Sequence, residues 1–180
     1  MNFKEKFFDL FNLYIEKKTP KSDISRILKK LLPFKIEHKL LRLGEENDGG
    51  YLIPNDVSGI KKNYTAGVGE LTKFEKDLEE KFSIKSNMLD FNDIDPKIFP
   101  KSSKFFKKKM GIISSESEIT INDWLKEEDE EIIFKMDIEG DEYLTLTSIT
   151  EENLKKIRIL VIEIHDLRHL RNYFFFKTFE

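Results

Sequence analysis

The stretch IIFKMDIEG at residues 132–140 sets two acidic side chains into an apolar run that ends at a glycine. A run of this length, rich in β-branched and aromatic residues, predicts a buried strand of a parallel sheet. Ligands of open α/β sheets bind outside the carboxyl ends of the strands, so Asp137 and Glu139 are expected beside a small-molecule site. A second apolar run, residues 157–164, is followed by His165. Two neighbouring strands are therefore predicted to end in titratable side chains at one edge of the sheet.

The composition limits the classes of protein. The chain has 180 residues, 39% of them hydrophobic and 36% charged, as in a soluble globular domain with one core. The lack of cysteine excludes disulfides, thiolate metal sites and a cysteine nucleophile, and the cytoplasm is the expected location. No segment approaches about 20 apolar residues, so neither a membrane span nor a secretory signal is predicted. A net charge of -3 predicts no nucleic-acid partner, and the lysines at 104 and 107–109 are interpreted as a solvated face.

The chain is expected to divide into an N-terminal helical extension, residues 1–38, and an α/β domain, residues 39–180. Apolar residues at helical spacing predict one helix over residues 3–18, and a second helix is predicted from a cap at Ser22 or Asp23 to about Leu32.

The α/β domain is predicted to begin with a hairpin whose acidic turn contains glycine, followed by alternating strands and helices. This alternation predicts a doubly wound, mostly parallel sheet with helices on both faces, similar to a Rossmann fold. The acidic run at residues 127–131 is interpreted as a solvated connection. After the hairpin, strands are expected at residues 64–66, 86–91, 105–113, 132–138 and 157–164, and helices at 71–82, 119–125 and within 144–154.

Residues 67–70, GVGE, stand between a predicted strand and a helix, the layout of a nucleotide-binding turn. A dinucleotide fingerprint would need a third glycine where Thr72 stands, and Glu70 disfavours a pyrophosphate, so an NAD or nucleotide-sugar enzyme is the weaker alternative. Asp90 follows about 20 residues later, where an acid holds ribose hydroxyls. The unit fits an adenosine-bearing ligand such as S-adenosylmethionine, whose positive groups favour nearby carboxylates.

Several blocks of the sequence together resemble the FkbM-type methyltransferases over about residues 40–170. The most specific block is KMDIEGDE at residues 135–142, which is similar to the family's run of lysine, apolar, aspartate, apolar, glutamate, glycine, any residue and glutamate. The other blocks are EENDGGY at 45–51, AGVG at 66–69, Phe74 with Glu75, Asp90, and VIEIH at 161–165.

The resemblance implies a class I fold that uses S-adenosylmethionine, and members commonly methylate hydroxyls of sugars or secondary metabolites. Asp48 and Tyr51 either close over the cofactor or serve as a turn aspartate and a core tyrosine. The residues expected around the cofactor are Gly67, Val68, Gly69, Glu70, Asp90, Asp48 and Asp137.

A hydroxyl acceptor must lose its proton, and Asp137, Glu139 and His165 are the candidate catalytic residues. Glu139 is preferred, the alternative being that it only accepts backbone hydrogen bonds beyond the strand. A divalent metal on Glu163 and His165, with His169 or Asp137, is the weaker interpretation, so no metal site is expected.

The family fold resembles a seven-stranded sheet, yet only about sixteen residues follow Ile164. We therefore expect a shortened member that lacks the last strands, with the fifth strand as a poorly covered edge. The aromatic tail, residues 167–179, is expected to bury itself or to associate, for instance into a homo-oligomer. The alternative function is a catalytically inactive, degenerate binding domain.

Overall fold

The computed structural model describes residues 16–180 of the chain. The helix predicted over residues 3–18 lies outside this part except for residues 16–18, which are not helical. Two compact units divide the chain: one joins the residues up to Lys35 with Asp166–Glu180, and the other comprises Ile36–His165. The predicted division into an extension, residues 1–38, and an α/β domain, residues 39–180, stays a prediction.

The larger unit contains a parallel sheet of five strands, which stand in the order Lys104–Lys107, Lys85–Asp90, Lys62–Ala66, Ile132–Met136 and Ile157–Ile162. This arrangement, with its crossover helices, confirms the predicted α/β class. The strands are β1 (Leu40–Gly44), β2 (Gly50–Pro54), β3 (Lys62–Ala66), β4 (Lys85–Asp90), β5 (Lys104–Lys107), β6 (Lys109–Gly111), β7 (Glu118–Thr120), β8 (Ile132–Met136) and β9 (Ile157–Ile162). The α-helices are α1 (Lys21–Lys30), α2 (Lys73–Phe82), α3 (Ile121–Leu125), α4 (Glu142–Ser148), α5 (Glu151–Lys156) and α6 (Tyr173–Phe179).

Strand register brings the carboxyl ends of the central strands together. Ala66 of β3 pairs with Met136 of β8, and every residue of β8 is buried, as its apolar sequence predicts. Beyond the paired residues, the amide of Asp137 donates to the carbonyl of Ala66 at 3.0 Å, and the amide of Glu163 donates to the carbonyl of Met136 at the same distance. The residues that follow β3, β8 and β9 therefore share one edge of the sheet.

Hydrophobic clusters cover both faces of the sheet. On one face α2 and the β1–β2 hairpin pack against β8 and β9, through a cluster that includes Phe74 and Ile133. On the other face α3 packs its Trp124 edge-on to Phe134, with ring centroids 6.0 Å apart. Fully burying a side chain such as Phe74 contributes about 2–3 kcal/mol. The predicted helices on both faces are thus present.

Two predictions about local structure in the larger unit are wrong. The single strand expected over residues 105–113 is two strands, since the Lys108 amide donates to the Phe106 carbonyl at 2.9 Å in a tight turn, and β6 pairs with β7 instead of joining the central sheet. The acidic run at residues 127–131 is not wholly solvated. Its Glu128 is buried because Lys62 and the Tyr64 hydroxyl both donate to its carboxylate.

The smaller unit holds α1 and α6. Helix α1 begins after Pro20 without a side-chain cap, so the predicted cap at Ser22 or Asp23 is wrong. The Asn172 side chain caps α6 by accepting from the amides of Phe174 and Phe175. Part of the aromatic tail is buried, in a cluster of Ile27, Leu170 and Phe176.

The described sheet ends at β9, whose Leu160 is 41% exposed. The edge expected at the fifth strand is therefore present in this part of the chain, whereas association through the tail stays a prediction. Among the described residues, no helix is both long and apolar enough to cross a bilayer.

Candidate active site

A cleft of about 530 Å³ opens at the carboxyl ends of β3, β4 and β8. Its volume lies within the range of small-molecule sites. Every residue that the sequence predicted around a cofactor lines this cleft, and so does Glu139. His165 is not among the lining residues, but its Nε2 atom lies 3.8 Å from Asp137 and 3.5 Å from Glu139. The lining includes Asp48, Gly67, Val68, Gly69, Glu70, Asp90, Asp137 and Glu139.

The glycine turn after β3 touches the end of β8. Gly67 has φ +80°, and a Cβ atom on it would lie 1.6 Å from the carbonyl oxygen of Asp137. Gly69 also has a positive φ, +57°, but a Cβ atom there would meet no atom within 4 Å. Only glycine fits at position 67, because the backbone there is both left-handed and in contact with its neighbour.

Asp90, at the end of β4, fixes the same turn. Its Oδ2 atom accepts hydrogen bonds from the amides of Val68, at 2.9 Å, and Gly69, at 3.0 Å. Its Oδ1 atom accepts from the amide of Asn92 at 2.8 Å. Asp90, which the sequence predicts to bind ribose hydroxyls, therefore organises the backbone of the turn. The sequence alone did not suggest this second role.

The β1–β2 hairpin supplies one wall of the cleft. The Tyr51 hydroxyl donates to Oδ2 of Asp137 at 3.0 Å and lies 3.4 Å from Oε2 of Glu163. Burial and the neighbouring Asp137 raise the pKa of Tyr51, so its phenol remains a donor. Asp48 accepts from the amide of Gly49 at 2.9 Å as a turn aspartate and also lines the cleft.

Lys135 is a cleft residue to which the sequence analysis gave no role. It is 3% exposed, and its Nζ atom lies 3.6 Å from Oε1 of Glu75, which is fully buried. The ammonium group also lies 5.1 Å from the ring centroid of Tyr51 and 5.6 Å from that of Phe74. The sequence did carry a signal for this ion pair: Lys135 stands in an otherwise apolar strand, and a buried lysine needs a charged partner.

A buried carboxylate holds the loop after β8. Glu142, the first residue of α4, is fully buried, and its Oε1 atom accepts from the amides of Ile138 at 3.0 Å and Gly140 at 3.2 Å. The same oxygen lies 2.9 Å from Nδ1 of His165. Glu142, rather than Glu139, therefore receives the backbone hydrogen bonds beyond the strand.

His165 and Glu142 shift each other's protonation. The hydrogen bond to Glu142 raises the pKa of His165 above its usual value, although burial opposes this. Burial acts to raise the pKa of Glu142, but the hydrogen bonds from His165 and from backbone amides outweigh it, and the pKa is lowered. Since Glu142 accepts from Nδ1, the Nε2 atom faces the other carboxylates.

Glu139 extends from a left-handed backbone position, φ +56°, with a side chain that is 86% exposed. Its Oε2 atom lies 3.5 Å from Nε2 of His165, and Oδ1 of Asp137 lies 3.8 Å from the same nitrogen. The structure thus brings together the three predicted catalytic residues. His169, named as an alternative metal ligand, pairs with Asp166 at 3.7 Å in the smaller unit.

A parallel α/β sheet with a ligand-sized cleft at its carboxyl edge and an acidic pair after its central strand defines a Rossmann-like domain with a small-molecule site. The family model for the methyltransferase FkbM domain matches residues 30–179, so the chain belongs to this family of methyltransferases. No curated protein and no solved structure matches the chain.

Proposed function

We propose that this protein transfers a methyl group from S-adenosylmethionine to a hydroxyl of a carbohydrate or another small molecule. The observation that carries the proposal is the position of two groups of residues on one cleft. The glycine turn fixed by Asp90 and the acidic residues Asp137 and Glu139 all line this cleft.

The cleft fits such a cofactor in shape and charge. The bare backbone at Gly69, where a Cβ atom would meet no atom within 4 Å, leaves room for the close approach of a ligand. Carboxylates of Glu70, Asp90 and Asp137 line the cleft and would attract a sulfonium and an ammonium group. Asp90 keeps one oxygen with a single hydrogen bond, from Asn92, and this oxygen can accept from a ribose hydroxyl. When bound, the cofactor supplies an electrophilic methyl group.

We assign the removal of the acceptor's proton to Glu139. Its carboxylate lines the cleft and is exposed enough to meet an incoming hydroxyl group. His165, held by Glu142, lies close enough to fix the orientation of Glu139 and to stabilise its negative charge. The Tyr51 hydroxyl fixes Asp137 by donating to its carboxylate. These residues position two substrates, which is the main requirement of a displacement at a methyl carbon.

Transfer of label from S-adenosylmethionine to a panel of glycans and small hydroxyl compounds tests this function. We expect the wild-type chain to label an acceptor of this class and Glu139→Gln to reduce the rate about 100-fold or more, because the amide cannot take the proton. Glu127→Gln is the control, since Glu127 is an exposed acid before β8 and therefore at the opposite edge of the sheet. Equal rates for Glu139→Gln and wild type would contradict the role of Glu139. Cofactor binding without transfer to any acceptor would support the inactive binding domain instead.

A further inference from the structure

The residues behind the acidic pair form a cluster with the donor types of a metal site. Asp137, Glu142 and His165 each offer one ligand atom, and these atoms lie within 4.8 Å of one another. They come from three places: the loop after β8, the start of α4 and the segment after β9. Because the sheet register fixes all three places, the cluster is held by the fold and not by mobile side chains alone.

The Glu142 carboxylate gives an independent indication of a cation site. Its Oε1 atom receives the hydrogen bonds from His165 and two amides, while its Oε2 atom is buried without a hydrogen-bond partner. A buried polar atom without a partner costs about 1–3 kcal/mol, and more for a charged group, so such atoms call for an explanation. A bound cation beside Glu142 provides one.

The charges around His165 also favour a cation. Besides Asp137 and Glu142, Oε2 of Glu139 lies 3.5 Å and Oε1 of Glu163 lies 4.0 Å from its Nε2 atom. Each of these four carboxylates lies within 4.0 Å of a ring nitrogen of His165. The three lysines that line the cleft have other partners: Lys135 pairs with Glu75, Lys109 pairs with Asp141, and Lys108 donates to the carbonyl of Ser115. Four carboxylates thus converge on one imidazole.

We propose that Asp137, Glu142 and His165 bind a divalent cation, with Glu139 and Glu163 beside it. Oxygen ligands in the majority, with one imidazole, suit a cation of the Mg²⁺ or Mn²⁺ type.

The role of the cation rests on the proposed function. A cation at the rim of the cleft polarises the acceptor hydroxyl and stabilises negative charge that develops on its oxygen. The hydroxyl proton passes to the Glu139 carboxylate, the oxygen forms a bond to the methyl carbon, and the bond between that carbon and sulfur breaks. Its electron pair stays on sulfur, so the cation itself is neither oxidised nor reduced.

Titration of the EDTA-treated full chain with Mn²⁺, followed by electron paramagnetic resonance of the free ion, tests the site without any cofactor. We expect one saturable Mn²⁺ site per chain that Mg²⁺ competes for. His165→Asn should weaken binding at least about tenfold, and the control His38→Asn, at an exposed histidine, should leave it unchanged. Absence of a saturable site, or equal binding by wild type and His165→Asn, would overturn the proposal.

A second variant distinguishes loss of the cation site from loss of the folded structure. Glu142→Gln would place an amide group at a fully buried carboxylate that accepts from two backbone amides, so Asp137→Asn, at a half-buried residue, is the safer variant. It should also weaken Mn²⁺ binding at least about tenfold while far-ultraviolet circular dichroism stays unchanged. Binding of S-adenosylmethionine in EDTA without any Mn²⁺ site would refute the cation alone. Mn²⁺ binding by a chain that transfers no methyl group would refute the proposed function alone.

Discussion

The carbonyl oxygen of Asp137 lies 1.6 Å from the point where a Cβ atom on Gly67 would stand. This contact joins the turn after β3 to the loop after β8, so that the predicted cofactor turn and the acidic pair form one continuous rim. Because of this contact, no residue other than glycine fits at position 67.

Gly67→Ala should destabilise the protein far more than Gly69→Ala. The first change adds a clash with backbone to a left-handed φ and should lower the free energy of unfolding by about 3 kcal/mol or more. The second adds only the strain of a positive φ in open space, about 1 kcal/mol. Urea denaturation of both variants measures the difference. Equal losses of stability would mean that the contact between the turn and Asp137 is absent.

Asp90→Ala should loosen the turn after β3. The amides of Val68 and Gly69 lose the oxygen that accepts from both, which should cost about 1–3 kcal/mol of unfolding free energy. Hydrogen exchange of these two amides should speed up in the variant. Asp93→Asn, at an exposed acid that pairs with Lys107, is the control and should change neither quantity measurably. Unchanged exchange in Asp90→Ala would show that the turn does not depend on this carboxylate.

Glu128 should make stability depend on acid pH. Burial acts to raise its pKa, but hydrogen bonds from Lys62, the Glu130 amide and Tyr64 outweigh burial and lower the pKa from its ordinary value of 4.5. A depressed pKa stabilises the fold fully above that ordinary value, and the contribution is lost as pH falls through the lowered pKa.

At pH 7, Glu128→Gln should therefore lose about 1–3 kcal/mol of unfolding free energy relative to wild type. This difference between the variant and wild type should become smaller below about pH 4. Its exposed neighbour supplies the control, since Glu127→Gln should stay within about 0.5 kcal/mol of wild type at every pH. A gap that persists unchanged at low pH would contradict the electrostatic explanation.

Lys135 and Glu75 should behave as a coupled pair. Lys135→Met leaves a carboxylate buried opposite an apolar side chain and should cost about 3–5 kcal/mol of unfolding free energy. In a Glu75→Gln background the same change should cost at least about 1 kcal/mol less, because no buried charge is left unpaired. A double-mutant cycle by denaturant unfolding gives the coupling, and additive effects would argue against the ion pair.

The local chemistry of the sequence predicted the fold and the rim of the cleft well. The apolar run of β8 and the glycines at 67 and 69 have short-range signatures, and parallel strands bring their carboxyl ends to one edge whatever the loops do. The role of Glu142 was missed because it depends on a histidine 23 residues away, His165, which only the tertiary fold brings into contact. The burial of Glu128 was missed for the same reason, since its partners Lys62 and Tyr64 lie on β3.

Calorimetric titration of S-adenosylmethionine into the full chain measures whether the cleft binds this cofactor. We expect saturable binding of one cofactor per chain, binding at least about tenfold weaker in Asp90→Asn because a charged acceptor for the ribose is lost, and unchanged binding in Asp93→Asn. NAD in the same titration should bind more weakly than S-adenosylmethionine. No saturable heat with S-adenosylmethionine, or tighter binding of NAD, would contradict the assignment of the cleft to this cofactor.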